Sequence, residues 1–247
     1  LGKYGDNKVT YLFCDNRSIK SLHIIGKKRC ELQGVQVYGT YLPVGGIPVK
    51  CFNKIKYHQF KELWTKAIAE QGTPDIVHAH FPLITTNEYF WDLWKENNIK
   101  VAITEHWSRV LTKSLRPNWK LVLNRVMQDA DIIISVSELL KKSMLELSNT
   151  ERNIYVIPNM VSEKFQCKPD IDNKVTPSDD FYFISVARLV KVKCMDLLIE
   201  AFARTFKGEE KIRLTIVGDG PERKGLQHQI DQLGLQNQVH LTGFLQI

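Results

Sequence analysis

The chain has 247 residues, 43% of them hydrophobic and 25% charged, the composition of an ordinary globular protein long enough for two α/β halves. A formal net charge of +7 favours an anionic ligand or an anionic membrane face, and the lack of any basic block interleaved with aromatics argues against nucleic acid. The scattered cysteines, Cys14, Cys30, Cys51, Cys167 and Cys194, show no C-x-x-C spacing, which argues against a zinc knuckle or a disulfide framework and fits a reducing compartment. No apolar run has the length of a spanning helix and no segment reads as a signal peptide, so a cytoplasmic location is expected. The start at Leu1 rather than Met points to a fragment or a trimmed chain.

Taken in chain order, apolar runs alternate with helical patterns, the rhythm of a parallel sheet with crossover helices. Strands are predicted at Val9–Phe13, Val35–Leu42, Asp75–Ala79, Val101–Thr104, Ile132–Val136 and Ile154–Ile157. Helices are predicted at Lys54–Gln71, Asn87–Asn97, Asn118–Ala130 and Ser137–Leu147, the last with Ser137 as its N-cap. The segment SEKFQCKPDIDNKVTPSDD, Ser162 to Asp180, is polar, carries two prolines and has no period, and it reads as a linker. A second β-α rhythm follows, with strands Phe181–Val186, Ile212–Val217 and Val239–Thr242 and helices Lys193–Phe206 and Pro221–Leu233. The expected organisation is therefore two Rossmann-like α/β domains, 1–161 and 181–247, joined by 162–180, with the second domain incomplete.

In open α/β sheets ligands lie beyond the carboxyl ends of the strands, which directs attention to the turns there. Arg188 follows one strand and Lys193 precedes the next helix. A guanidinium forks onto two phosphate oxygens, an ammonium adds a point charge, and a helix N-terminus adds N–H groups, so the three together describe a diphosphate cradle; solvated loop cations are the plainer alternative. In IVGDGPERKGL, Gly218 and Gly220 allow close backbone approach, but Arg223 stands where G-x-G-x-x-G needs glycine, which weighs against a dinucleotide site.

Three further features carry weaker signals. His78 and His80 share one strand face and could join His106 or Glu105 on a metal, yet no cysteine or second carboxylate accompanies them, and no metal site is expected. The D-x-D of Asp170 to Asp172 lies in the polar linker and reads as a solvated loop. The helix KIKYHQFKELWTKAI, Lys54 to Ile68, and the stretch with Arg109, Lys113, Arg116, Trp119 and Lys120 could rest on anionic lipid heads, although core packing with a solvated lysine face is favoured for the helix.

The order VARLVKVKCMDLLIEAF, LTIVGDGPERKGL, VHLTGF resembles the nucleotide-sugar half of a GT-B glycosyltransferase of family four. The earlier DIVHAHFPL, VAITEHWSRV, ADIIISVSELL and IYVIPNMVSEKF resemble that family's acceptor half in the same order. The resemblance implies a retaining, metal-independent transferase with no cofactor, which uses a nucleoside diphosphate sugar as co-substrate and a glycan or lipid-linked molecule as acceptor. It implies that Arg188 and Lys193 contact the donor diphosphate, that Gly218, Gly220 and Leu245 belong to the donor-side loops, and that His106 faces the reacting sugar. His80, Trp107 and Ser108 are its acceptor-side candidates. Peripheral contact with an anionic membrane face is a further expectation.

The match also departs from the family. The glycine-rich loop after a first strand and the pair of glutamates near the donor sugar are not found, so this piece alone is expected to be inactive or nearly so, and Cys194 and Met160 stand where relatives commonly have glycine. Rival readings are a sugar-nucleotide epimerase on the same plan and a noncatalytic nucleotide- or glycan-binding protein.

Overall fold

The computed structural model describes residues 7–16, 26–44, 47–161 and 180–245. The chain divides into two compact units, Leu1–Ser162 and Glu163–Ile247. Asp170 to Asp172 and nearly all of the predicted linker lie outside the described residues.

The first unit holds two sheets. Strands β1 (Thr10–Asp15), β2 (Gly26–Leu32) and β3 (Val35–Tyr41) run in the order β1-β3-β2, with β1 parallel and β2 antiparallel to β3. β2 was not expected from the sequence: GKKRCEL is nearly all exposed and lacks the alternation that marks a half-buried strand. The hairpin is set instead by Gln33 and Gly34, whose φ values of 52° and 79° suit a tight turn between right-twisted strands. Strands β4 (Ile76–His80), β5 (Lys100–Glu105), β6 (Ile132–Ser135) and β7 (Tyr155–Val156) form an all-parallel sheet in chain order.

Six helices connect and cover these strands: α1 (Val49–Gln71), α2 (Pro82–Thr85), α3 (Glu88–Glu96), α4 (Ser108–Leu111), α5 (Pro117–Asp129) and α6 (Glu138–Ser148). Their starts follow from side chains that suit helix entry. Pro82 and Pro117 occupy first-turn positions, the Asn87 Oδ1 accepts from Tyr89 N at 3.1 Å, and the Ser137 Oγ accepts from Leu140 N at 3.2 Å as the sequence suggests. One apolar layer serves both sheets, since Leu12 of β1 and Val77 of β4 pack against the cluster that holds Trp64, Trp91, Trp94 and Ile103.

Helix α1 begins five residues before its expected start and directs Phe60, Leu63, Trp64 and Ala67 into the interior. Its apolar face is thus taken by the core, the favoured of its two readings. Lys56 is buried with them and donates to the Ile84 carbonyl at 2.5 Å. Burial pulls this lysine down to about 8 and pushes the neighbouring Cys14 thiol up to about 11, the two being coupled by charge as a smaller effect.

The second unit is a parallel three-stranded sheet of order β10-β9-β8, with β8 (Phe181–Val186), β9 (Ile212–Val217) and β10 (Val239–Gly243) joined by α7 (Met195–Phe206) and α8 (Arg223–Leu233). Leu189, Ile199, Leu214, Ile216, Ile230 and Leu235 form its centre. Helix α7 starts at Met195 rather than Lys193, because Lys191–Lys193 make a 3-10 turn and Cys194 then takes a left-handed backbone, φ 51° and ψ 39°. The cysteine therefore occupies a conformation in which glycine has no steric penalty. Met160, by contrast, is not among the residues with positive φ.

Replacing Cys194 with Gly is expected to raise stability by up to about 1 kcal/mol, the left-handed penalty being partly offset by the freer unfolded chain. Urea unfolding midpoints of the two proteins measure this, and an unchanged or lower midpoint would contradict the strain argument.

Candidate active site

Because β4 to β7 are parallel, their carboxyl ends gather along one sheet edge. His80 is the last residue of β4 and His106 the first after β5, and their rings meet at 3.1 Å between Nδ1 of His80 and Nε2 of His106. One of these nitrogens must carry the proton and the other accept it. His78 behind them meets the Thr104 Oγ1 at 2.8 Å. Asn159, beyond β7, also hydrogen-bonds His106. Phe81 enters α2 through a left-handed residue, φ 52°, and stacks its ring on His106 at 4.5 Å between centroids.

Glu105 ends β5 fully buried. It does not face the edge: its Oε1 accepts the N–H groups of His106 at 2.9 Å and Trp107 at 2.8 Å and so fixes the turn that presents the imidazole. Burial pushes its carboxyl up, while hydrogen bonds from the backbone of Trp107, His106 and Leu83 pull it back. Burial also lowers all three histidines from their ordinary 6.5; for His78 the nearby His106, and for His80 both other rings, add to this, whereas the Asn159 bond opposes it at His106. Among the described residues no group of three His, Cys, Asp or Glu side chains is placed to hold a metal ion.

Trp107 is half-buried and meets Trp119 of α5 edge to face, 4.7 Å between centroids at 84°. Ser108 is exposed at the start of α4. The structure thus brings His80, His106 and Trp107 together and leaves Ser108 at the rim. Sequence reasoning missed Phe81 and Asn159. The only sequence trace of either is its position, next to a proline and just past a strand.

In the second unit the carboxyl ends of β8, β9 and β10 likewise share an edge. Arg188 and Lys193 are both exposed there, and among the described residues neither has an ion-pair partner. Between them Leu189 is completely buried and anchors the loop. The loop is laced to the β9–α8 turn: Ala187 N donates to Val217 O at 3.0 Å, Leu189 N to Asp219 O at 2.9 Å, and Glu222 N to Leu189 O at 3.2 Å.

The two glycines are required by this lacing. An added Cβ would lie 1.9 Å from the Ala187 carbonyl oxygen at Gly218, whose φ is 132°, and 2.2 Å from the Leu189 carbonyl oxygen at Gly220. The close approach foreseen at these positions is thus made, in the chain by itself, to its own backbone. Arg223 donates to the Leu241 carbonyl at 3.1 Å and ties α8 to β10. Leu245 is exposed just past β10.

Two α/β units with polar and cationic groups at the carboxyl edges of parallel strands define a chain of the two-domain glycosyltransferase fold. A family model described as Glycosyltransferase Family 4 matches residues 22–165, and one described as Glycosyl transferases group 1 matches residues 168–246. The chain belongs to Glycosyltransferase Family 4.

Among curated relatives, N-acetyl-alpha-D-glucosaminyl L-malate synthase of Bacillus anthracis is 22% identical over 71% of this chain and 47% of its own length. Alpha-monoglucosyldiacylglycerol synthase of Streptococcus pneumoniae is 26% identical over 72% and 44%. The chain spans about half the length of the curated relatives it matches. Two solved structures share the fold: sucrose-phosphate synthase from Thermosynechococcus elongatus has a TM-score of 0.67 at 16% identity, covering 96% of this chain and 60% of that one. Anabaena HepE in complex with UDP and glucose has a TM-score of 0.61 at 16% identity, covering 96% and 70%.

Two outcomes are expected. The imidazole proton resonances of His78, His80 and His106 should titrate below 6.5. A histidine pKa lowered by folding means that the unfolded chain binds more protons, so stability from this cluster is full above 6.5 and is lost as pH falls toward the folded values. Titration at or above 6.5 would contradict the geometry. Gly220→Ala should cost about 1 to 3 kcal/mol in urea unfolding, since backbone must shift to admit the methyl.

Proposed function

We propose that the chain acts in transfer of a sugar from a nucleoside diphosphate donor to a hydroxyl of a glycan or lipid-linked acceptor, with retention of configuration. The observation that carries this reading is the pair of cations Arg188 and Lys193, without an ion-pair partner among the described residues, on a loop at the carboxyl edge of β8 whose backbone is bonded to the β9–α8 turn. The glycosidic C–O bond breaks with its electron pair going to the diphosphate oxygen. Arg188 and Lys193 stabilise that charge, and the acceptor hydroxyl forms the new C–O bond as it loses its proton to the departing diphosphate. Preorganised side-chain cations supply the electrostatic support without a metal or other cofactor.

His106 serves the reacting sugar in this reading, with His80 and Phe81 fixing its ring, and Trp107 shaping the acceptor side. Support comes from the UDP held by HepE and from the lipid product named for the Streptococcus relative. Among the described residues no helix is long and apolar enough to cross a membrane, and work at the cytoplasmic face, in peripheral contact with an anionic membrane, belongs to the same proposal.

Calorimetric titration of the folded chain with UDP, GDP and ADP tests the donor site. One nucleotide diphosphate is expected to bind, and Arg188→Ala or Lys193→Ala should each weaken it about tenfold to a hundredfold, the loss of one charge-assisted hydrogen bond. Failure of the folded wild-type chain to bind any of the three would remove the cradle from the account.

A further inference from the structure

The edge beside His106 carries a second set of cations that the donor reading does not use. Arg109 of α4 has its guanidinium carbon 5.6 Å from the Trp107 ring centroid and 5.5 Å from that of Trp119. Arg116, which immediately precedes α5, stands 5.1 Å from the same Trp119 ring. Two guanidinium groups thus share one indole, and that indole meets Trp107 edge to face. A guanidinium held near an indole by cation–π attraction keeps N–H groups available to an anion.

Three carboxylates on the neighbouring helices are engaged elsewhere. Glu146 pairs with Lys113 at 2.8 Å, Asp92 with Arg125 at 2.7 Å, and Asp129 also with Arg125. Among the described residues neither Arg109 nor Arg116 pairs with an acidic side chain, although both are exposed. Two like charges held against one ring without a counter-ion repel each other, and an oxyanion placed on their free edges relieves that repulsion. Arg109 lies three residues from His106, so such an anion would belong to whatever molecule approaches the histidine.

We propose that Arg109 and Arg116, oriented by Trp107 and Trp119, bind a phosphate group on the acceptor. This rests on the glycosyltransferase reading and narrows it: the acceptor carries phosphate near the hydroxyl that receives the sugar, either as a soluble phosphomonoester or as a lipid headgroup. The guanidinium forks supply paired hydrogen bonds to phosphate oxygens.

The test uses the full chain and two probes: glycerol 3-phosphate by calorimetry, and phosphatidylcholine vesicles with and without phosphatidic acid by co-sedimentation. Arg109→Lys and Arg116→Lys keep the charge and lose the planar fork, and each is expected to weaken binding about tenfold. Saturable binding of glycerol 3-phosphate that falls in both variants supports the site and names a soluble acceptor. Binding confined to the phosphatidic acid vesicles, with the same loss, supports it and names a lipid one. Absence of binding to both probes, or binding unchanged by both lysine variants, overturns the proposal. Circular dichroism reports folding of each variant. Titration with UDP in parallel separates the two readings, because that affinity belongs to Arg188 and Lys193: loss of UDP binding with phosphomonoester binding intact would fault the donor reading alone.

Discussion

A single carboxylate oxygen, Oε1 of Glu105, accepts the backbone N–H groups of His106 and Trp107, and the turn that presents His106 at the sheet edge rests on that bond pair. The chain leaves β5 at a point where the ladder of the parallel sheet can no longer satisfy those two donors. A buried unsatisfied donor costs about 1 to 3 kcal/mol, so without the carboxylate the turn would open toward solvent. With it, the imidazole of His106 is held against His80 and the indole of Trp107 is aimed toward α5. Burying a carboxylate is itself unfavourable, and the N–H bonds offset that cost.

The donor-side edge reaches the same end by a different route. Here the backbone of Ala187 and Leu189 is bonded directly to Val217, Asp219 and Glu222. Such contact requires two backbones to approach within van der Waals distance, which the glycines at 218 and 220 permit. Buried Leu189 anchors this loop as Glu105 anchors the other, so in each case an inward residue fixes the outward one beside it. Arg223 shows the same economy. Its guanidinium ties the start of α8 to β10, which accounts for an arginine at the place a dinucleotide motif would give to glycine.

The parallel strands and several helix starts were legible because they rest on local signals: short apolar runs, helical patterns, and Ser137 as a cap. What escaped was set by tertiary context. β2 is a strand because the Gln33–Gly34 turn folds it back on β3, and its own residues carry no pattern. The extra turns of α1 and the late start of α7 depend on Pro48 and on the left-handed Cys194, neither of which alters the hydrophobic period. At the site, His106 and Trp107 could be picked out by the family resemblance of the segment VAITEHWSRV, and His80 by its place at a strand end. Phe81 could not, since an aromatic before proline gives no sign of a left-handed backbone, and Asn159 acquires meaning only when β7 brings it beside β5 and β6.

The two edges also differ in how they hold charge, and the difference suits the proposed chemistry. Arg188 and Lys193 bring cations, as suits groups facing a developing diphosphate charge. Burial lowers the pKa of both His80 and His106, the other two rings add to this at His80, and protonating both would set two donors nose to nose across 3.1 Å. In the proposed transfer the sugar becomes electron-poor as the diphosphate departs. An imidazolium beside it would oppose that change, whereas a neutral ring adds no positive charge there. The His80–His106 pair therefore disfavours the charged form of His106, which suits the role proposed for it.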